Sequence, residues 1–142
     1  MTRIAFLLIL LLFTLVPVQA DDRQKVEFPP MMREHMLANM RDHLLALQEI
    51  TAYLASGAYD QAAEVAENRL GMSSLDAHGA AHMAEFMPDA MAAIGTGMHR
   101  AASRFAISAS DAEIEGGLAK AFGALSEVMQ QCVACHAAFR VH

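Results

Sequence analysis

Two thiols and an imidazole stand close together near the C-terminus, in the segment CVACHAAFR. Cys132 and Cys135 are the only cysteines of the chain, and His136 directly follows the second of them. These residue types could form a disulfide, bind a metal ion or hold a covalently attached haem. Residues three and four apart share one face of a helix, so a helix would present all three side chains to the same side.

The C-x-x-C-H pattern favours the third of these chemistries, because it is the attachment signature of c-type haem. A disulfide between residues one helical turn apart would be strained, and redox C-x-x-C motifs normally follow a strand, for which the sequence offers no candidate. A zinc site would need further ligands, and no second cysteine pair exists. We therefore predict one haem c, with Cys132 and Cys135 as thioether sites and His136 as the proximal iron ligand.

The N-terminus has the features of an export signal. Arg3 precedes an apolar run over residues 4–15, in which Thr14 is the one polar residue, and small residues around Ala20 come before the first acidic pair. The apolar run is shorter than the roughly 20 residues that a membrane-spanning helix needs. We predict a signal peptide over residues 1–20, cleaved after Ala20, and one periplasmic domain over residues 21–142 without membrane attachment.

Composition and charge limit the function classes. The chain is 55% hydrophobic with four prolines and no tryptophan, and its alanine and methionine content favours helices over sheet. The net charge of −6 disfavours nucleic acid and anionic lipid as partners. No catalytic triad order, P-loop or dinucleotide fingerprint is present, so we predict that the protein is not an enzyme.

Apolar residues recur at helical spacing in four segments. The segments run from Pro29-Pro30 to near Gly57, from about Asp60 to Gly71, from Pro88 to the SASD stretch at 108–111, and from the capping-box stretch SDAE at 110–113 through the cysteine motif. A long connection over 72–87 separates the second segment from the third. Short connections favour antiparallel neighbours, so we predict an all-α fold, an antiparallel up-down-up-down four-helix bundle.

In three of the predicted helices, residues at helical spacing form a stripe on the face that should point into the core, here called the inward stripe. The expected inward residues are Met36, Met40, His43, Leu47, Ile50 and Leu54 in the first helix, Met91, Ile94, Met98, Ala102 and Phe105 in the third, and Leu118, Ala121, Leu125, Val128, Cys132, Cys135 and Phe139 in the fourth. Small residues in the GTG stretch at 95–97 would let a haem or a neighbouring backbone approach the third helix closely.

A helical chain with the motif CxxCHxxFR near its C-terminus resembles the class II c-type cytochromes, which are cytochrome c-prime and its low-spin, methionine-ligated relatives. The resemblance covers essentially all of residues 21–142 and is most specific in the cysteine motif. It implies thioethers at Cys132 and Cys135, His136 as the proximal ligand and Arg140 as a cation close to the haem edge. It also permits a homodimer through the first two helices. On a helix, Arg140 would lie four residues after His136 and could pair with a haem propionate.

The sixth iron ligand should come from residues 31–44, because the start of the first helix lies beside the end of the fourth in an antiparallel bundle. Only Met36, Met40 and His43 lie on the inward stripe there. The resemblance favours Met40, with Met36 one turn earlier as its rival. His43 and the absence of any protein ligand are further possibilities.

The ligand at this position decides between two haem functions. Histidine and methionine ligation raises the reduction potential and leaves no open position, which suits transfer of single electrons to and from redox protein partners. This is the predicted function. An open sixth position would instead bind NO or CO, as the resemblance implies for cytochrome c-prime itself.

A third possibility is a periplasmic metal-binding module rich in Met and His. It rests on soft copper ligands around the start of the third helix: His78, His82, Met83, Met87 and Met91. Surface histidines with core methionines are the commoner cause of such a pattern. We expect His99 and His142 to be solvated.

Overall fold

The computed structural model describes residues 21–115 and 117–142, so the predicted signal peptide lies outside the described residues. In these ranges the elements are β1, Gln24–Lys25; α1, Pro30–Ser56; α2, Tyr59–Arg69; α3, Ala80–Ala84; α4, Asp89–Glu115; α5, Leu118–Ala138; and β2, Phe139–Arg140. The predicted all-α class is confirmed. The connection between α2 and α4 holds a 3₁₀ turn, Met72–Ser74, and the short α3.

Helix α1 has the predicted bounds. It begins after Pro29, and a proline at its first position suits a helix start because that N–H has no helical partner. It ends at Gly57, whose φ of 76° is left-handed and therefore favours glycine. The N–H of Gly57 donates to the Leu54 carbonyl at 3.2 Å, and the next N–H, that of Ala58, donates to the Tyr53 carbonyl at 2.9 Å.

The main core lies where α4 packs against α5 and α2, and where α2 packs against α1. Its largest fully buried side chains include Ile50 and Leu54 of α1, Phe105 of α4 and Val128 of α5, all of which the inward stripes predicted. In the described ranges, every helix is too short or too polar to cross a membrane.

The predicted end of the third helix is wrong. Helix α4 passes through the SASD stretch at 108–111 and continues to Glu115, so Ser110 lies inside a helix and does not begin a capping box. The cause is a continuing stripe of buried alanines on this helix: Ala102, Ala106, Ala109 and Ala112. Alanine has the highest helix propensity, and its burial against the core outweighs the polar signal.

The start of α5 differs accordingly. This helix begins at Leu118, with Gly117 at its N-cap, where the sequence has two glycines. Leu118 is 39% exposed, which corrects its expected inward position. From Ala121 onward the predicted stripe is followed, since Ala121, Leu125 and Val128 are all buried.

An N-terminal strap, residues 21–28, pairs with the end of the chain. Strands β1 and β2 are parallel, and the Val26 N–H donates to the Arg140 carbonyl at 2.8 Å. Helix α5 therefore ends at Ala138, and Phe139 is extended with φ −128° and ψ 152°. The expectation that Phe139 and Arg140 continue the helix is wrong, because strand pairing replaces the helical hydrogen bonds there.

The strap closes a second apolar cluster. Val26 and Phe28 are buried in it together with Phe139 of β2. Three methionines complete its buried set: Met36, Met83 and Met91. This cluster lies next to the cysteine motif, because Cys135 packs against it while Cys132 packs against the main core.

Candidate functional site

A cavity of about 650 Å³ brings the predicted site residues together. It is lined from α5 by Cys132, Cys135 and His136, and from α1 by Met36, Met40 and His43. Its volume lies in the range of about 300–1,000 Å³ that is usual for small-molecule and cofactor sites. Residues that are almost a hundred positions apart in the sequence thus line the same, mostly apolar cavity.

Both cysteines are half-buried free thiols at the wall of this cavity. The Cys132 thiol donates to the Val128 carbonyl at 3.6 Å. Burial raises the pKa of both thiols, and the neighbouring Cys132 raises that of Cys135 further. Redox-active cysteines depend instead on a lowered thiol pKa, so these thiols lack the electrostatics of a dithiol oxidoreductase.

His136 and Arg140 both line the cavity, but they belong to different elements. His136 lies in the last turn of α5, while Arg140 lies in β2. The prediction that Arg140 shares a helical face with His136 is therefore wrong, and the place of Arg140 at the cavity follows from strand pairing with β1. The backbone carbonyl of His136 accepts a hydrogen bond at 3.3 Å from Arg23 Nη1, a strap residue that also lines the cavity.

The three candidates for the distal position differ in their packing. Met36 is only 7% exposed and belongs to the buried set of the strap cluster. Met40 is partly buried and packs at the edge of the same cluster. His43 is buried, and its Nε2 has no hydrogen-bond partner among the described residues. All three reach the cavity, so the choice of Met40 stays a prediction.

The methionines around α3 and α4 belong to this same cavity. Besides Met36 and Met40, its wall includes Met83, Met87, Met91 and Met98. His78 lines it as well, whereas His82 is exposed in α3 and is no part of the lining. His78 precedes α3, which begins only at Ala80, so these two histidines do not share a helical face. Among the described residues, no group of three or more His, Cys, Asp or Glu side chains is placed to hold a metal ion.

A cluster of three imidazoles that was not predicted from the sequence borders the cavity. The ring centroids lie 4.8 Å apart for His43 and His78, 5.4 Å for His78 and His99, and 6.2 Å for His43 and His99. His99 was expected to be solvated but is 8% exposed, and its Nδ1 hydrogen-bonds the Leu70 carbonyl at 2.8 Å. Its spacing of three residues before the buried Ala102 was the available signal. His142 is exposed, as expected.

Two of these imidazoles, those of His43 and His78, are electrostatically disfavoured as cations. Burial, followed by the charges of His78 and His99, lowers the pKa of His43 to about 4. Burial likewise lowers the pKa of His78. Asp42, the carboxylate whose charge acts on His43, is already paired with Arg69. Arg69 Nε and Nη2 donate to the two Asp42 carboxylate oxygens at 3.1 and 2.5 Å. His43 and His78 are therefore neutral at neutral pH.

The two glycines of the GTG stretch have different surroundings. Gly95 lines the cavity, and a Cβ built on it would meet nothing within 4 Å. A Cβ on Gly97 would lie 3.1 Å from Gln131 Oε1 of α5. Gly97 thus permits close approach of the neighbouring helix, while Gly95 leaves part of the cavity wall without a side chain.

The side chains of the cavity fit a covalently held haem. Two thiols and an imidazole lie at the attachment spacing, thioether sulfurs line the same space, and the remaining wall is mostly apolar. Cationic side chains at its edge, Arg23 and Arg140, suit an acidic cofactor. No protein-family model, curated protein or solved structure matches the chain, so the assignment rests on these residues alone.

Proposed function

We propose that this chain is a periplasmic, monohaem c-type cytochrome that transfers single electrons between redox protein partners after removal of residues 1–20. The observation that carries the proposal is the shared cavity, in which the C-x-x-C-H motif of α5 meets the inward methionines of α1. Cys132 and Cys135 would hold haem c as thioethers, and His136 would be its proximal ligand. The bound haem would supply a one-electron iron couple.

Met40 is the preferred distal ligand on packing grounds. Met36 is part of the buried strap cluster, so moving its sulfur to an iron atom would remove apolar contacts from that cluster. Met40 is only partly packed and already faces the cavity. Thioether ligation by Met40 would raise the reduction potential, and the apolar wall would exclude water from the site.

We further propose that α1, α2, α4 and α5 form the antiparallel up-down-up-down bundle. The connections over 57–58 and 116–117 are very short, which favours antiparallel neighbours. The most extensive helix contacts are those of α1 with α2, α2 with α4, and α4 with α5. In that arrangement α1 and α5 would face each other across the cavity.

The second candidate is a five-coordinate haem protein that binds NO or CO. The apolar character of the α1 wall favours it, since Leu37, Leu44 and Leu47 line the cavity beside Met40. If the Met40 sulfur packed against this wall, the sixth position would be open to small apolar gases. A metal-binding module, the third candidate, draws on the six methionines of the same lining and on the imidazoles of His43, His78 and His99.

Haem staining of the denatured protein tests the covalent site. The chain matured with haem should keep its stain on a denaturing gel, because thioether bonds survive unfolding. A Cys132→Ala/Cys135→Ala variant should lose the stain under the same conditions. A native chain that carries no covalent haem but binds copper would contradict the cytochrome and support the metal-binding module.

A further inference from the structure

Two arginines from opposite ends of the chain meet at the edge of the cavity. Arg23 directly precedes β1 and Arg140 lies in β2, so the pairing of these strands holds the two side chains near each other. Both line the cavity, and Arg23 also donates to the backbone carbonyl of His136. The pair thus lies beside the predicted proximal ligand.

The two guanidinium groups have more donors than the chain satisfies. Arg23 uses Nε and Nη2 on Asp21, at 2.8 and 2.7 Å. Arg140 uses Nη1 on the His142 carbonyl at 2.8 Å, while its Nε lies 3.5 Å from Asp21 Oδ2 and is buried without a hydrogen-bond partner in the described ranges. Each guanidinium carries five N–H donors, so a single shared carboxylate leaves several of them available.

We propose that Arg23 and Arg140 together bind a carboxylate of the molecule in the cavity, and that this carboxylate is a haem propionate. The inference rests on the proposed function and adds a residue, Arg23, that the attachment motif does not include. Guanidinium and carboxylate groups match in geometry and form charge-assisted hydrogen bonds, which are stronger than neutral ones.

The other polar edge of the cavity is less suited to an anion. It consists of the imidazoles of His43, His78 and His99, and burial disfavours the cationic form of His43 and His78. Arginine is always protonated and needs no change of pH to bind a carboxylate. Binding at Arg23 would also tie the strap to the haem, since the same strap buries Val26 and Phe28.

Esterified haem tests the carboxylate directly. In the Cys132→Ala/Cys135→Ala background of the full chain, haem should bind without a covalent bond, so that the Kd values of haem and of haem dimethyl ester can be compared by optical titration. We expect haem to bind at least about tenfold more tightly than its ester, because charge-assisted bonds are lost on esterification. Arg23→Gln should reduce this ratio to near one. Arg41→Gln removes the same charge from an exposed position outside the cavity and should leave the ratio unchanged.

Two other results of this titration would overturn the proposal. Equal affinity for the two porphyrins, or a ratio that survives both Arg23→Gln and Arg140→Gln, would show that no guanidinium binds a propionate. A ratio lost only with His99→Gln would place the carboxylate at the imidazole cluster.

If neither porphyrin binds while the covalent holoprotein forms normally, the reduction potential of the holoprotein is measured instead. There Arg23→Gln, but not Arg41→Gln, should lower the reduction potential, and unchanged potentials would contradict the inference.

Discussion

The imidazole rings of His43 and His78 lie with their centroids 4.8 Å apart, and the nearest carboxylate is occupied by another cation. Arg69 binds both oxygens of Asp42, the residue next to His43, and also Glu49 of α1. The rings therefore lie close together, tilted by 58°, without a free counter-charge, and protonation of either one would place a cation in an apolar wall. This arrangement makes the fold sensitive to acid.

The first prediction concerns the pH dependence of stability. The pKa of His43 is about 4 in the folded chain, against the ordinary histidine value of 6.5, so only the unfolded chain takes up this proton as the pH falls through 6.5. Stability is full above that pH and is lost progressively down to about pH 4, by roughly 3 kcal/mol for this one group.

Urea unfolding of the haem-free chain between pH 8 and 4 measures this loss. His43→Gln should flatten the pH dependence, whatever its effect at neutral pH, while the exposed His142→Gln should leave it unchanged. Parallel curves for His43→Gln and the native chain would contradict the burial of a neutral imidazole.

A second prediction compares two glycines with opposite backbone demands. Gly57→Ala should lower the free energy of unfolding by about 1 kcal/mol, because its φ of 76° strains any residue with a Cβ. Gly123 lies exposed inside α5 with nothing within 4 Å of a built Cβ, so Gly123→Ala should raise stability by about 0.5–1 kcal/mol. Thermal unfolding of both variants measures the pair, and shifts of the same sign would contradict the assigned end of α1.

The third prediction tests the cavity wall at Gly95. Gly95→Leu should not destabilise the haem-free chain, since a Cβ there meets no atom within 4 Å, but its side chain would enter the space proposed for the haem. Most of the covalent haem should be lost, measured as haem per chain after maturation. Gly123→Leu, at an exposed site of α5, is the matched control and should load normally. Full loading of Gly95→Leu would place the haem away from α4.

A fourth prediction is that the strap can be destabilised locally while the main core stays folded. Phe28 is buried and packs near Phe86 with ring centroids 6.5 Å apart, so Phe28→Ala should cost about 3 kcal/mol locally. Amide hydrogen exchange should accelerate at Val26, whose N–H is bonded to Arg140, while Phe105 in the main core stays protected. Phe122→Ala removes a 44% exposed ring and should change neither. Unchanged hydrogen-exchange protection of the Val26 amide in Phe28→Ala would mean that strand pairing alone holds the strap in place.

Much of the fold was predictable because helical periodicity extends over many residues. The stripe of α1 predicted the burial of Met36, His43, Ile50 and Leu54, and proline and glycine marked both ends of that helix. The end of α4 was not predictable in the same way, because polar SASD and buried alanines give opposite signals. There, packing of Ala109 and Ala112 outweighed the capping pattern.

The site was predictable only where its residues are consecutive. The attachment triad is contained in five residues, whereas the strap reaches Arg140 through two-residue strands, which are too short to show a periodic pattern. The imidazole cluster joins His43, His78 and His99 from three separate segments. Such juxtapositions depend on tertiary packing, which helical spacing within one segment does not report.

Axial ligation by His136 and Met40 can be tested by the optical spectrum of the holoprotein, oxidised and reduced, with and without CO. We expect a sharp reduced α-band, a near-infrared methionine-to-iron band in the oxidised form and little response to CO. Met40→Ala should abolish the near-infrared band and admit CO, while Met36→Ala should retain the band. Broad high-spin bands that shift at once with CO in the native protein would contradict methionine ligation and make gas binding the leading function.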